Sequence, residues 1–333
     1  MSFHSHRRSS AAVGETLDRL MDRSIVLGYG APGLLLRRRL PGWPADPPRM
    51  AGRTVLVTGA ASGIGLATAA GYARLGASVR VLGRDGARAE EAVSRTTRRV
   101  PGADVRPVVC DVSSVESLHA FADRFLAEEP RLDVLVNNAG VMPDERKHSV
   151  DGVELTYATH VLAPWVLTDR LAGLLRAGAP GRVVNVTSGG QYARRVPPGD
   201  VESAGDRYSP KKVYARTKRA QMIVTDQWAD RLRDRDVVVH AMHPGWADTK
   251  GVRNWLPVFR VLTRSIIRTP EQGADTAVWL GGAPRPATCT GLLWHDRMPR
   301  PLTYRAGAGP DPEHVRAQVW RRAETLAHGR HQV

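Results

Sequence analysis

Tyr214 and Lys218 stand four residues apart in the run Tyr-Ala-Arg-Thr-Lys. On a helix, residues so spaced share one face, so an ammonium can lie beside a phenol. A phenol has a reference pKa near ~10 and exchanges protons poorly at neutral pH unless a nearby cation lowers that value. Alone, such a pair is common on solvated helix faces and seldom catalytic. What lies upstream gives it weight.

Upstream is Thr58-Gly59-Ala60-Ala61-Ser62-Gly63-Ile64-Gly65. It follows the apolar run Thr54-Val55-Leu56-Val57 and opens into a helical stretch from Leu66 to Leu75. Strand, glycine turn and helix form the context in which a dinucleotide is bound. Gly59, Gly63 and Gly65 let backbone approach a pyrophosphate, and the helix N-terminus favours its charge. The spacing Gly-x-x-x-Gly-x-Gly differs from the Gly-x-Gly-x-x-Gly Rossmann fingerprint. In isolation it would also serve as a structural turn.

Five features occur in one order: Thr58–Gly65, Asp111, Asn137-Asn138-Ala139-Gly140, Ser188, and Tyr214 with Lys218. Together they resemble the short-chain dehydrogenase/reductase superfamily over roughly residues 50 to 300. The loops Ser188-Gly189-Gly190, Met242 to Thr249, Gln272 to Thr276 and Asp296-Arg297 are similar to its dehydrogenase/reductase member 12 branch. The resemblance implies that Tyr214 exchanges a proton at the substrate oxygen while hydride moves to or from nicotinamide. It implies that Lys218 lowers the phenol pKa and holds the ribose, and that Ser188 positions the reacting oxygen. Gly59, Ser62, Gly63, Ile64 and Gly65 would cradle the cofactor, with Asp111 and Val112 near the adenine. Asn138, Ala139 and Gly140 would support it from the next loop, while Pro244, Gly245 and Thr249 would border the nicotinamide. One position departs: His160 stands where the family carries a catalytic asparagine that holds a relay water. A histidine can bind a water too, but a second nitrogen and a possible charge alter the network.

Cofactor choice turns on the end of the second strand, where a carboxylate would hold the ribose of NAD and repel the phosphate of NADP. Gly83 occupies that position and Arg84 follows. Arginine grips phosphate bidentately, which favours NADP(H) over NAD(H). Asp85 offers the alternative of a simple pair with Arg84.

The elements that must position these groups alternate along the chain. Apolar runs at 54–58, 78–82, 105–109, 134–137, 182–187, 237–242 and 292–295 read as seven strands. Helical patterns separate them, at 63–75, 87–100, 115–128, 152–175, 212–233 and 271–281. Continuous apolar strands between helices predict an α/β, doubly wound parallel sheet covered on both faces. The resemblance adds the strand order 3-2-1-4-5-6-7. Ligands in such sheets bind beyond the strand carboxyl ends, where Asn137, Ser188 and His243 fall.

The formal charge of +15 does not indicate nucleic acid: 43 of the 48 basic residues are arginine, spread along the chain without a nucleic-acid motif. Two cysteines, Cys110 and Cys289, suggest packing roles in a reduced, cytoplasmic setting, and no metal-ligand spacing occurs. Residues 1–49 read as an extension ending in a Pro-rich linker from Trp43 to Arg49, and 50–300 as the catalytic domain. Residues 301–333 read as a tail whose helix has Asp311 as N-cap and Pro312 at its first position. That helix would pack on the domain or on a partner subunit of a homo-oligomer. The apolar stretch from Ile25 to Leu36 is too short and glycine-broken to span a bilayer. Either it packs on the domain, or it is an interfacial anchor with Arg37, Arg38 and Arg39 at the headgroups.

The stretch from Ser188 to Tyr214, which stand 26 positions apart, and the apolar segment 250–267, with Trp255, Leu256, Val258, Phe259 and Leu262, are expected to wall the substrate pocket. Apolar walls suit a lipophilic carbonyl or secondary alcohol, although core packing accounts for the same residues. The expected activity is NADP(H)-dependent oxidoreduction; the alternative is an NADP-binding module that turns over weakly or not at all.

Overall fold

Strands with no polar face must be covered on both sides, and the computed structural model arranges them so. It describes residues 14–24, 28–177, 180–205, 207–248, 266–304 and 307–329. The central strands β1 (Thr54–Thr58) and β4 (Val134–Asn137) are buried at every position. Around them lie β2 (Ser78–Gly83), β3 (Val105–Val109), β5 (Gly181–Val186), β6 (Val237–Met242) and β7 (Leu293–His295), all parallel. At the β3 edge, Pro107 sits where no partner needs its missing N–H.

The sheet has eight strands rather than seven, in the order β3-β2-β1-β4-β5-β6-β7-β8. The addition, β8 (Met298–Arg300), returns antiparallel to β7 through the two-residue loop Asp296-Arg297. Both loop residues hold positive φ, 51° and 59°, as a type I′ hairpin loop requires. Neither is glycine, so the turn depends on the side-chain contacts that fix it: Asp296 to Arg268, and Arg297 in two hydrogen bonds to Asp275 at 2.8 Å.

Helices Gly63–Arg74, Gly86–Arg99 and Pro270–Gly282 cover one face, and Val115–Glu128, Ala163–Ala177 and Pro210–Arg231 the other. The helix expected from residue 152 begins at Leu155–Tyr157 and passes through a π-helical turn, Ala158–Leu162, before Ala163–Ala177. Such single-turn bulges often mark functional positions.

The tail helix is Glu313–Ala327, with Pro312 rather than Asp311 at its N-cap. Asp311 is engaged elsewhere: its carboxylate pairs with buried Arg219 and accepts the Val196 N–H. Val315 and Val319 are buried with Trp165, Trp228 and Trp320, so the helix packs on its own domain.

The N-terminal segment forms helices at 14–23 and Ala31–Arg37. Arg37, which the anchor reading would place at a lipid headgroup, is buried between Asp18 (2.6 Å) and Asp296 (2.7 Å), as the reading of a packed extension has it. Arg38 pairs with Asp275 at 2.8 Å, while Arg39 is exposed. The stretch read as a linker is also packed, since Pro44 and Ala45 carbonyls accept from Arg297 and Trp279 at 3.0 Å.

Candidate active site

β1 ends at Thr58, and its hydroxyl receives the backbone N–H groups of Asn138 and Ala139 at 2.9 Å. Asn138 returns the tie, donating from its amide to the carbonyls of Thr58 (2.9 Å) and Gly59 (3.3 Å). The glycine turn and the loop after β4 are thereby fastened together. Gly59 holds φ +66°, and a Cβ on Gly65 would collide with the Gly59 carbonyl and the Asn138 amide. Two glycine requirements of different origin therefore shape one turn. Ser62 leads into the helix Gly63–Arg74 without a side-chain cap, and no acidic residue occupies its first turn. The uncapped N–H groups suit an anion.

A cleft of about 410 Å³ opens over these loops, at the carboxyl ends of the strands. Of the residues singled out in the sequence, Gly59, Ser62, Gly63, Ile64, Gly65, Arg84, Asp111, Val112, Asn138, Ala139, Gly140, Tyr214, Lys218 and Pro244 line it. Asp111 accepts from the N–H and hydroxyl of Ser113 at 3.0 and 2.7 Å. Arg88, Thr159 and Thr187 also line the cleft and were not singled out. Arg88 was legible as the arginine one helical turn after Arg84; the threonines carry no local signal. Gly245, at φ +71°, lies instead against the Tyr29 carbonyl and the Arg268 guanidinium. His243, one residue beyond β6, is buried and stacked on His295 at 4.0 Å. Thr249 and the expected wall residues Trp255, Leu256, Val258, Phe259 and Leu262 lie outside the described residues.

At the strand end that decides cofactor charge, a Cβ on Gly83 would stand 2.5 Å from the Ala89 nitrogen. A carboxylate cannot be placed there without moving the helix. Asp85 caps that helix, accepting from Arg88 N at 2.9 Å, and its carboxylate lies 3.4 Å from the Arg88 guanidinium. The pair considered between Asp85 and Arg84 is thus made with Arg88, and Arg84 extends exposed over the cleft.

At the other end, the helix Pro210–Arg231 carries Tyr214 and Lys218 on its cleft face. Burial raises the Tyr214 phenol above its usual value, opposed by a side-chain hydrogen bond with Ser188. Ser188 itself accepts the Gly190 N–H at 3.2 Å. The Lys218 ammonium lies 5.9 Å from the Tyr214 ring centre and donates to Val186 O (2.8 Å) and Gln221 Oε1 (3.2 Å). Burial pushes its pKa down to about 7. For the phenol, desolvation by burial is the larger effect and the bond with Ser188 the smaller. His160, in the π turn, sets its ring edge-on to Tyr214 at 5.3 Å. Burial and the Lys218 charge hold it well below the usual histidine range.

Ser188 and His160 are not among the lining residues; Ser188 reaches the site through its bond with Tyr214. A cleft lined by an anion-receptive glycine turn, a phenol and an amine can bind a dinucleotide and exchange a proton beside it. Comparison with known proteins agrees. The short chain dehydrogenase family matches residues 53–257. Dehydrogenase/reductase SDR family member 12 of Bos taurus is 37% identical over 253 residues, 75% of this chain and 78% of that protein. Human retinol dehydrogenase 14 is 34% identical over 306 residues, 84% of this chain and 88% of that protein. Among solved structures, the Pseudomonas aeruginosa RhlG/NADP active-site complex matches with TM-score 0.61 and 27% identity, covering 74% of this chain and 94% of that one. The chain belongs to the short-chain dehydrogenase/reductase family. It is an NAD(P)-dependent oxidoreductase acting on CH–OH and C=O groups.

Proposed function

We propose that the chain uses NADP(H) in preference to NAD(H) to interconvert a lipophilic carbonyl and its secondary alcohol. The observation behind the cofactor choice is the end of β2, where Gly83 leaves no room for a carboxylate and two arginines line the cleft. A ribose phosphate there meets Arg84 without the repulsion that an acidic residue would impose. The NADP named in the RhlG complex supports the same choice. Arg84→Asp tests it: titrated by fluorescence, the variant should lose NADPH affinity at least tenfold relative to NADH. An unchanged ratio would contradict the assignment.

Bound nicotinamide supplies the hydride chemistry. Tyr214 gives or takes the proton at the substrate oxygen, and Ser188 orients that oxygen by hydrogen bonding. Burial keeps the phenol protonated at neutral pH, the form that can donate to a carbonyl oxygen. Lys218 holds the ribose hydroxyls from the same helix face. Retinol, in the name of one relative, is a lipophilic alcohol, a primary one, and supports the lipophilic character of the substrate rather than its class of alcohol.

The proposal includes a peripheral membrane contact through the N-terminal helices. Leu17, Leu20, Leu35 and Leu36 are exposed there, with Arg19, Arg23 and Arg39 also exposed. Apolar side chains beside arginines suit the surface of an anionic bilayer. Among the described residues no helix is long and apolar enough to cross a membrane.

A further inference from the structure

His160 stands where its family carries an asparagine, and its ring is fully buried. Each ring nitrogen has one partner. Nε2 faces the backbone N–H of Val141 at 3.1 Å, and a backbone N–H can only donate. Nε2 must therefore present its lone pair. A neutral imidazole then carries its proton on Nδ1, which lies 3.0 Å from Thr217 Oγ1. Thr217 Oγ1 in turn donates to the Tyr214 carbonyl at 3.0 Å. The tautomer follows from the donors alone, and a proton added to Nε2 would face the Val141 proton.

The ring lies between two loaded parts of the site. On one side is the loop after β4, whose Gly140 lines the cleft; a Cβ on Gly140 would stand 3.1 Å from Nε2. On the other is the helix carrying Tyr214 and Lys218, which are the titratable groups against the ring. The lysine directs hydrogen bonds to Val186 O and Gln221 Oε1, away from the imidazole. A proton carrier needs a nitrogen that can accept and release a proton in turn. Here one nitrogen is closed by a backbone donor and the other is engaged with a hydroxyl.

We propose that His160 is a positioning residue: a neutral brace, protonated on Nδ1, that sets the Tyr214 helix at a fixed distance from the loop 138–141 and carries no proton between Lys218 and solvent. The chain Val141 N–H, imidazole, Thr217 hydroxyl and Tyr214 carbonyl ties the cofactor side of the cleft to the backbone of the proposed acid. Small errors in such placement cost turnover even when no reacting atom is touched. The π turn Ala158–Leu162 carries the histidine that makes this connection.

The inference rests on the proposed role of Tyr214, but its first test does not need turnover. Long-range ¹H–¹⁵N spectra of the full chain, with the 11 histidines labelled, would be recorded from pH 5.5 to 8.5. The His160 ring should show the Nδ1–H neutral pattern throughout, with its signals identified by their change in Thr217→Val. An Nε2–H pattern, or a midpoint inside that window, would overturn the brace. The second test is kinetic. Thr217→Val should lower kcat roughly tenfold while leaving the limbs of its pH profile in place, and Thr217→Ser should restore it. A displaced or missing limb in Thr217→Val would instead mark the imidazole as part of a proton path. If no carbonyl substrate is ever turned over, the oxidoreductase reading fails, and the ring spectra still decide the tautomer.

Discussion

Arg37 and Asp296, 259 positions apart in sequence, form an ion pair at 2.7 Å with both side chains at most 2% exposed. Around it, Arg268 binds the same aspartate at 2.6 Å, and Asp18 joins Arg37 to Arg300. Nearby, Tyr29 O accepts the Trp246 N–H at 2.9 Å and Ile266 O accepts the Ala31 N–H at 2.7 Å. The N-terminal segment therefore holds the turn after β6 as well as the β7–β8 hairpin. It is built into the fold beside the cleft.

Removal of Arg37 should accordingly be costly. Arg37→Ala leaves Asp18 and Asp296 each short of a buried partner, a kind of loss that costs about 3–5 kcal/mol. Deletion of residues 1–40 should cost more and should also weaken cofactor binding, because the turn at Pro244 loses its support. Urea unfolding and cofactor titration on both variants provide the check. A deletion with unchanged stability and affinity would show that the segment is separable.

Lys218 gives a pH signature. Its folded pKa of about 7 lies below the ordinary lysine value of 10.5, so between the two the unfolded chain binds more protons than the folded one. Stability contributed by this group therefore rises with pH across that window, and the penalty for its burial is greatest below about pH 7. In the cofactor-free protein, the Tm of wild type relative to Lys218→Met should rise between pH 7 and 10. A constant difference across that range would contradict the burial.

The N-terminal leucines can be tested apart from the fold, since they are exposed. Replacing Leu17, Leu20, Leu35 and Leu36 together by serine should leave Tm within a few degrees and abolish sedimentation with phosphatidylserine vesicles. Equal sedimentation of both proteins would remove the membrane contact.

The sheet was legible because its strands are unbroken aliphatic runs such as Thr54–Thr58, and the glycine turn because strand and helix flank it. Tyr214 and Lys218 were legible from helical spacing, and the same cleft receives both. Strand β8 was not, since Asp296-Arg297 lacks the Asn-Gly or Asp-Gly signature of a type I′ loop and owes its conformation to Arg268 and Asp275. Nor was the burial of Arg37. An arginine in a run of three reads as solvated, and only a partner 259 residues away makes it internal. The tail cap was misplaced by one residue because Asp311 serves Arg219 instead of the helix. The bonds of His160 required the π turn, which a 3.6-residue periodicity does not reveal.

The central claim is that Tyr214 is the proton-exchanging group of an NADP(H)-dependent oxidoreductase. Its most direct test is NADPH oxidation by wild type and Tyr214→Phe across a panel of lipophilic aldehydes and ketones, with NADPH affinity measured in parallel. Wild type should turn over at least one of them, and the variant should lose a factor of ~10²–10⁴ in kcat, the usual loss for an acid/base group, with cofactor affinity nearly unchanged. Wild-type turnover by Tyr214→Phe on a verified substrate would contradict the claim.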